Sequence, residues 1–152
     1  MRLKQPIERL LTPDEESELD ELLHRALACV PIDPSQQEAQ GALVVGLHMW
    51  IEHLRDNPAD DADKVELLSM IGVLWGEELC RVANWDWCVM EMPNGFVGTA
   101  VVDDRRARIC FPIQLANGWV NIEQVNRCML LFTELCRRDH AELDANGYYS
   151  IG

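Results

Sequence analysis

The chain has 152 residues, of which 48% are apolar and 26% charged, and carries a formal net charge of −13. That length matches one ordinary domain, able to bury roughly 70% of the surface its unfolded form exposes, and the composition excludes a disordered or low-complexity chain. The charge weighs against nucleic acid and anionic membranes, whose surfaces repel an acidic protein.

The N-terminal segment Met1 to Pro6 has no apolar run behind its basic residues, and no apolar stretch approaches the roughly 20 residues of a membrane span. The chain therefore reads as neither exported nor membrane-spanning, and as cytoplasmic. Cys29, Cys80, Cys88, Cys110, Cys128 and Cys136 contain no Cys-x-x-Cys pair and mostly alternate with apolar residues. Free thiols on core faces are expected, not disulfides.

Thr12-Pro13-Asp14-Glu15 is a helix start in which Thr12 caps, Pro13 takes the first helical position and Glu15 completes a capping box. Leu19, Leu22, Leu23, Ala26, Leu27 and Val30 follow at helical spacing. Asp33-Pro34 repeats the cap-then-proline pattern, and Ala39, Leu43, Leu47, Trp50, Ile51 and Leu54 form a second stripe that Asn57-Pro58 ends. A third helix is predicted from about Asp61 to Ala83. Its apolar residues, from Leu67 to Val82, spread beyond one face, as in a central helix. Gly72 and Gly76 lie four apart along it, each costing about 1 kcal/mol of helix propensity relative to Ala, so a close packing partner is expected there.

From Trp85 the period changes to two. Trp85, Trp87 and Val89 begin a first strand, Pro93-Asn94-Gly95 turns the chain, Val97 to Val102 returns, and Asp103-Asp104-Arg105 turns again. Ala107, Ile109 and Phe111 make a third strand, with Arg106 and Arg108 together on its other face. Pro112 is expected to end the ladder, Asn117-Gly118 to turn, and Asn121 to cap a last helix carrying Val125, Cys128, Leu131, Phe132, Leu135 and Cys136. The reading over residues 1–152 is a single α+β domain: three N-terminal helices, a three-stranded antiparallel meander and a C-terminal helix, with the helices on one face of the sheet. The first few residues and the tail beyond about residue 140, with Tyr148 and Tyr149, carry no predicted element.

Candidate chemistry is sparse. His48 and His53 are five apart, about 140° from each other around a helix, whereas zinc-binding pairs use a spacing of four. There is no Gly-rich phosphate loop and no Gly-x-Ser-x-Gly elbow, so the sequence assigns no catalytic residue, no cofactor and no metal. The five tryptophans fall mostly on core faces or beside turns. Glu77 is placed to pair with Arg81, one turn on. Glu78 lies at the edge of the buried stripe and must find a partner, either among Arg105, Arg106 and Arg108 or as a functional group with them in a cleft.

Residues 12–66 hold fourteen carboxylates against Arg25, Arg55 and Lys64, which places −11 of the net charge there. Such a field keeps a protein soluble and also attracts cationic partners. Asp60, Asp61 and Asp63, at a helix start beside a proline loop, are the preferred contact.

Gly72-Val-Leu-Trp-Gly76-Glu77, with Arg81, Trp85-Asp-Trp87, Val102-Asp-Asp-Arg105 and Phe111-Pro112, resembles a bacterial family of uncharacterised small proteins. The likeness covers about residues 67–115, with Asn84 standing where that family has glycine. Small acidic proteins of this type often act as immunity proteins beside secreted toxins. The resemblance implies a non-enzymatic protein that neutralises a cationic toxin by occluding its site, and it assigns no catalytic residues. The alternatives are a small enzyme using a cleft around Glu78 and the hairpin arginines, and a housekeeping adaptor.

Overall fold

The computed structural model describes residues 5–37, 41–121, 127–137 and 143–151. In chain order the elements are β1 (Ile7–Arg9), α1 (Pro13–Cys29), a 3-10 turn (Pro34–Gln36), α2 (Ala42–Asp56), α3 (Asp61–Ala83), β2 (Asp86–Glu91), β3 (Val97–Val102), β4 (Arg108–Cys110), α4 (Pro112–Asn121), α5 (Arg127–Cys136) and β5 (Tyr149–Ser150). The fold is α+β. Its sheet runs β1-β2-β3-β4-β5, antiparallel except for β5, which pairs parallel to β4.

α1 starts where its capping box directs. Thr12 Oγ1 accepts from the Glu15 N–H at 3.2 Å, and Glu15 Oε1 accepts from the Thr12 N–H at 2.9 Å. Arg9, at the end of β1, donates to both Glu15 oxygens at 2.7 and 3.1 Å. The second helix begins later than the Asp33-Pro34 signal suggests. That signal makes only the 3-10 turn, and α2 starts after Gly41, whose φ of +79° is a left-handed conformation that glycine adopts without cost. Ala39 lies outside the described residues.

The long apolar helix is α3, and it is central. Trp75, fully buried, meets Trp119 of α4 edge-on at 5.2 Å and Phe132 of α5 at 6.2 Å, and its indole N–H donates to the Cys128 carbonyl at 3.1 Å. The glycine pair makes this approach possible. A Cβ at Gly72 would lie 2.6 Å from Ile113 Cα, and one at Gly76 would lie 2.5 Å from the Trp87 ring. α3 thus packs against the start of α4 almost backbone to backbone.

That start corrects the sequence reading: Pro112 begins α4, and the helix runs through Asn117-Gly118 with no turn there. Proline suits a first helical position, where its missing N–H is not needed, and the Leu115 N–H closes the first turn onto the Phe111 carbonyl at 3.0 Å. Burial of Ala116 and Trp119 outweighs the turn propensity of Asn-Gly. Two helices therefore follow the meander where one was expected. Cys128, Leu131, Phe132 and Leu135 do form the buried stripe of the second, and Val125 lies outside the described residues.

The meander is present as β2, β3 and β4, with Asp86 opposite Val102 and Val102 opposite Ile109. It is extended on both edges by segments left unassigned, β1 and β5. Both are too short to show a period, and each is held by a neighbouring strand that its own sequence does not reveal. The helices cover one face, where Trp85, Val101 and Cys110 join the main core. The other face is buried too: Cys88, Met90, Ala100, Val102 and Ile109 form a second cluster with Met92, Phe111 and Tyr148 packed on it. No helix among the described residues is long and apolar enough to cross a membrane.

Candidate functional site

The turn between β3 and β4 is built on Asp103, which is 3% exposed. Its Oδ1 accepts from the Ala107 and Arg108 N–H groups at 2.8 and 3.3 Å, and its Oδ2 accepts from Arg108 Nε at 2.9 Å. Aspartate is favoured at such turns because its side chain satisfies backbone donors a few residues on. Arg106, inside the turn, takes φ +54°, and this left-handed step breaks the alternation that would have kept it beside Arg108.

The two arginines consequently leave on opposite faces. Arg108 points toward the helices, where it is 8% exposed, lies 5.1 Å from the centre of the Trp85 ring, and donates from Nη1 to the Leu135 carbonyl at the end of α5. Arg106 crosses the second cluster instead. It grips both oxygens of Glu8 at 3.1 Å and donates to Asp86 at 3.0 Å, while the Tyr148 hydroxyl donates to Glu8 at 3.1 Å. Burial, and then the Glu8 charge, push the Tyr148 phenol up. This network ties the first strand, the hairpin and the tail together.

Glu78 joins neither arginine. It is 1% exposed and held by Arg81, whose Nε lies 3.1 Å from Oε2 and whose Nη2 donates to Oε1. Glu77, expected on Arg81, instead accepts from the Trp87 indole N–H at 2.8 Å. The exchange follows from rotation: of the two, Glu78 faces inward and takes the arginine. Among the grouped candidates, Arg105 and Arg108 alone come together, lining a cleft of about 290 Å³ at the carboxyl end of α3 with Arg137, Asp103 and Asp104. Arg105 donates to the Leu143 carbonyl at 2.9 Å. The sequence reading missed Asp103 as the organiser and Arg137 as a third guanidinium; the Asp-Asp-Arg turn carried a signal for the first, and nothing local for the second. Asn84, next to this cleft, takes the left-handed conformation (φ +60°) that glycine otherwise supplies.

At the opposite end of α3, Asp60, Asp61 and Asp63 are exposed, and the Asp60 side chain does not cap the helix. The Arg25–Glu66 ion pair brings the last turns of α1 beside these residues. Asp14, Glu16, Glu18, Asp20 and Glu21 face solvent along α1.

Comparison of the chain with protein-family models, with curated proteins and with solved structures found no match.

His48 pairs with Glu52 and His53 lies against Asn57, so the two do not converge, and no group of three or more His, Cys, Asp or Glu among the described residues could hold a metal ion. All six cysteines are unpaired. Burial pushes the thiols of Cys88 and Cys110 up to about 12 and that of Cys128 to about 11, far from the thiolate that nucleophilic chemistry needs. Trp50, Trp75, Trp85 and Trp119 are buried and offer no stacking surface.

Proposed function

We propose that the protein is a non-enzymatic binding protein that engages a cationic protein through the acidic surface of α1 and the head of α3, in the manner of an immunity protein that occludes a toxin's site. The observation that carries this reading is the exposure of Asp60, Asp61 and Asp63, with no ion pairs to these three among the described residues. Beside them opens a recess of about 170 Å³ lined by Leu54, Arg55, Pro58, Lys64, Leu67 and Val120, with room for an apolar side chain of the partner. The enzyme reading is weaker because its carboxylate, Glu78, is already paired and lies outside the lining of the arginine cleft.

Charge of this kind acts mostly on the association rate, over a range of about 8 Å at physiological salt. A partner isolated by pull-down from the native host should associate more slowly as salt rises. Asp60→Asn, Asp61→Asn and Asp63→Asn should each slow it further at low salt, with little effect at high salt. An acidic partner, or rates indifferent to both salt and substitution, would reduce the acidic surface to a solubility feature.

A further inference from the structure

We infer that the tail from Asp144 to Ile151 is a strap that opens and closes over the second face of the sheet while the helical core stays folded, with the Tyr148–Glu8 hydrogen bond as its latch. The two faces of the sheet are closed by different means. One lies under helices. On the other, Cys88, Met90, Ala100, Val102 and Ile109 are each no more than 1% exposed, and the partly buried side chains packed on them among the described residues are Met92, Phe111 and Tyr148, from strand ends and the tail.

The tail reaches this face along the β3–β4 turn and β4. The N–H groups of Asn146, Tyr148, Tyr149 and Ile151 donate to the carbonyls of Arg105, Arg106, Ala107 and Ile109 at 2.9, 2.9, 2.7 and 2.9 Å. All four acceptors belong to one short segment, so the bonds form and break together. Backbone strain opposes them. Asn146 and Tyr148 hold φ of +61° and +49°. Asparagine tolerates this left-handed region, whereas a side chain as bulky as tyrosine enters it only against an offsetting gain. Between the two, a Cβ on Gly147 would lie 2.5 Å from the Tyr149 ring and 2.9 Å from the Asp144 carbonyl oxygen.

The offsetting gain comes from the far side of the sheet. The Tyr148 hydroxyl donates to Glu8 at 3.1 Å, and two nitrogens of Arg106 hold the Glu8 oxygens at 3.1 Å. β1 and β5 occupy opposite ends of the strand order, so this bond fastens the tail across the face as well as to the strand it pairs with. The Glu8 and Arg106 charges both act on the Cys88 thiol, which places the latch beside that cysteine. A terminal segment with few ladder bonds and stored strain opens at a lower free energy than the core it covers. Closed, it keeps the β4 edge from pairing with another chain. The strap is independent of the acidic surface of α1 and α3.

The test is pulsed alkylation of the full chain with iodoacetamide under native conditions, each cysteine being read by peptide mass spectrometry. Cys88 lies under the strap, Cys110 and Cys128 are buried in the main core, and the exposed Cys29 gives the rate of an unprotected thiol. Cys88 should react more slowly than Cys29 and faster than Cys110 and Cys128. Tyr148→Phe removes the hydroxyl and keeps the ring; it should speed Cys88 about tenfold, the worth of one hydrogen bond to a charged group, and leave Cys110 and Cys128 unchanged. Glu8→Ala should speed Cys88 as well, and adding Tyr148→Phe to it should have no further effect, because the hydroxyl has already lost its acceptor. Cys88 reacting no faster than Cys110 and Cys128 in the parent would overturn the strap, since sheet and helices would then open only together. So would a Tyr148→Phe variant that leaves Cys88 unchanged or speeds all three thiols by one factor.

Discussion

At the head of α3, Asp60, Asp61 and Asp63 face solvent, whereas near its tail Glu78 and Asp103 are 1% and 3% exposed and both oxygens of each accept hydrogen bonds. The same functional group is spent in two ways. A buried carboxylate costs several kcal/mol to desolvate and persists only where arginine and backbone donors surround it, so those two acids belong to the architecture. An exposed carboxylate alters stability little, and its effect is felt through the field it projects. Buried, paired carboxylates and exposed ones are thus separated along one helix.

The sharpest way to break this contrast is Asp103→Ala. It would strand Arg108 as a buried charge and leave the Ala107 and Arg108 N–H groups without their acceptor, at a cost of roughly 3–5 kcal/mol in urea unfolding. A cost under about 1 kcal/mol would mean that Arg108 relaxes into solvent and that the turn does not depend on the pair.

Next in size is the packing that holds the two ends in a fixed relation. Gly72→Leu and Gly76→Leu should each cost roughly 1–3 kcal/mol, because α4 and Trp87 occupy the space a side chain needs. Gly72→Ala should be the harsher of the two alanine changes: its Cβ would meet the backbone of Ile113, whereas Gly76 mostly faces the edge of the Trp87 ring, which can shift. Leu variants that melt with the parent would remove the close α3–α4 contact from the account.

A subtler distinction lies within the acidic N-terminal half, where Glu15 is the exception. Hydrogen bonds from the Arg9 side chain, and next from the Thr12 backbone N–H, hold its carboxyl down to about 2. Because the folded value is depressed, the stabilisation is present above the ordinary glutamate value near 4.3 and is lost as pH falls from there toward 2. An NMR titration of the Glu15 carboxyl should show a midpoint near 2 in the parent and a higher one in Arg9→Gln. A midpoint near 4.3 in the parent would show that Arg9 and the cap do not hold it. Smallest of all, Asp60→Asn, Asp61→Asn and Asp63→Asn should change stability by no more than about 0.5 kcal/mol, so that any loss of association reflects recognition and not folding.

Much of the helical half was legible because its determinants are local. Thr12 and Glu15 are three residues apart, and the stripes of α1 and α3 repeat within a few turns, so caps and periods can be seen without knowing what they pack against. The meander was legible for the same reason, with its period of two and its turn residues at Asn94-Gly95 and Asp103 to Arg105. Pro112 was misread because a proline can end a ladder or begin a helix, and only the burial of Trp119 against Trp75 decides between them. β1 and β5 were invisible because three- and two-residue strands take their conformation from Met90 and Ile109 across the sheet, not from their own pattern.

Of the candidate site, Asp60, Asp61 and Asp63 could be placed at an exposed helix head from the Asn57-Pro58 break alone. The destinations of the arginines could not. Which carboxylate Arg81 takes depends on which of two adjacent residues faces the core, and the split of Arg106 from Arg108 depends on one left-handed residue in a turn. Arg137, just past α5, reaches the cleft from more than twenty residues away in the chain. By itself, then, the sequence determined the acidic N-terminal half, the long central helix and the hairpin, because local propensity, periodicity and charge are read from neighbouring residues. Only the tertiary structure decided which buried charges are paired and which guanidiniums share a cleft. Those outcomes are set by desolvation, which acts on residues brought together by packing, whatever their separation along the chain.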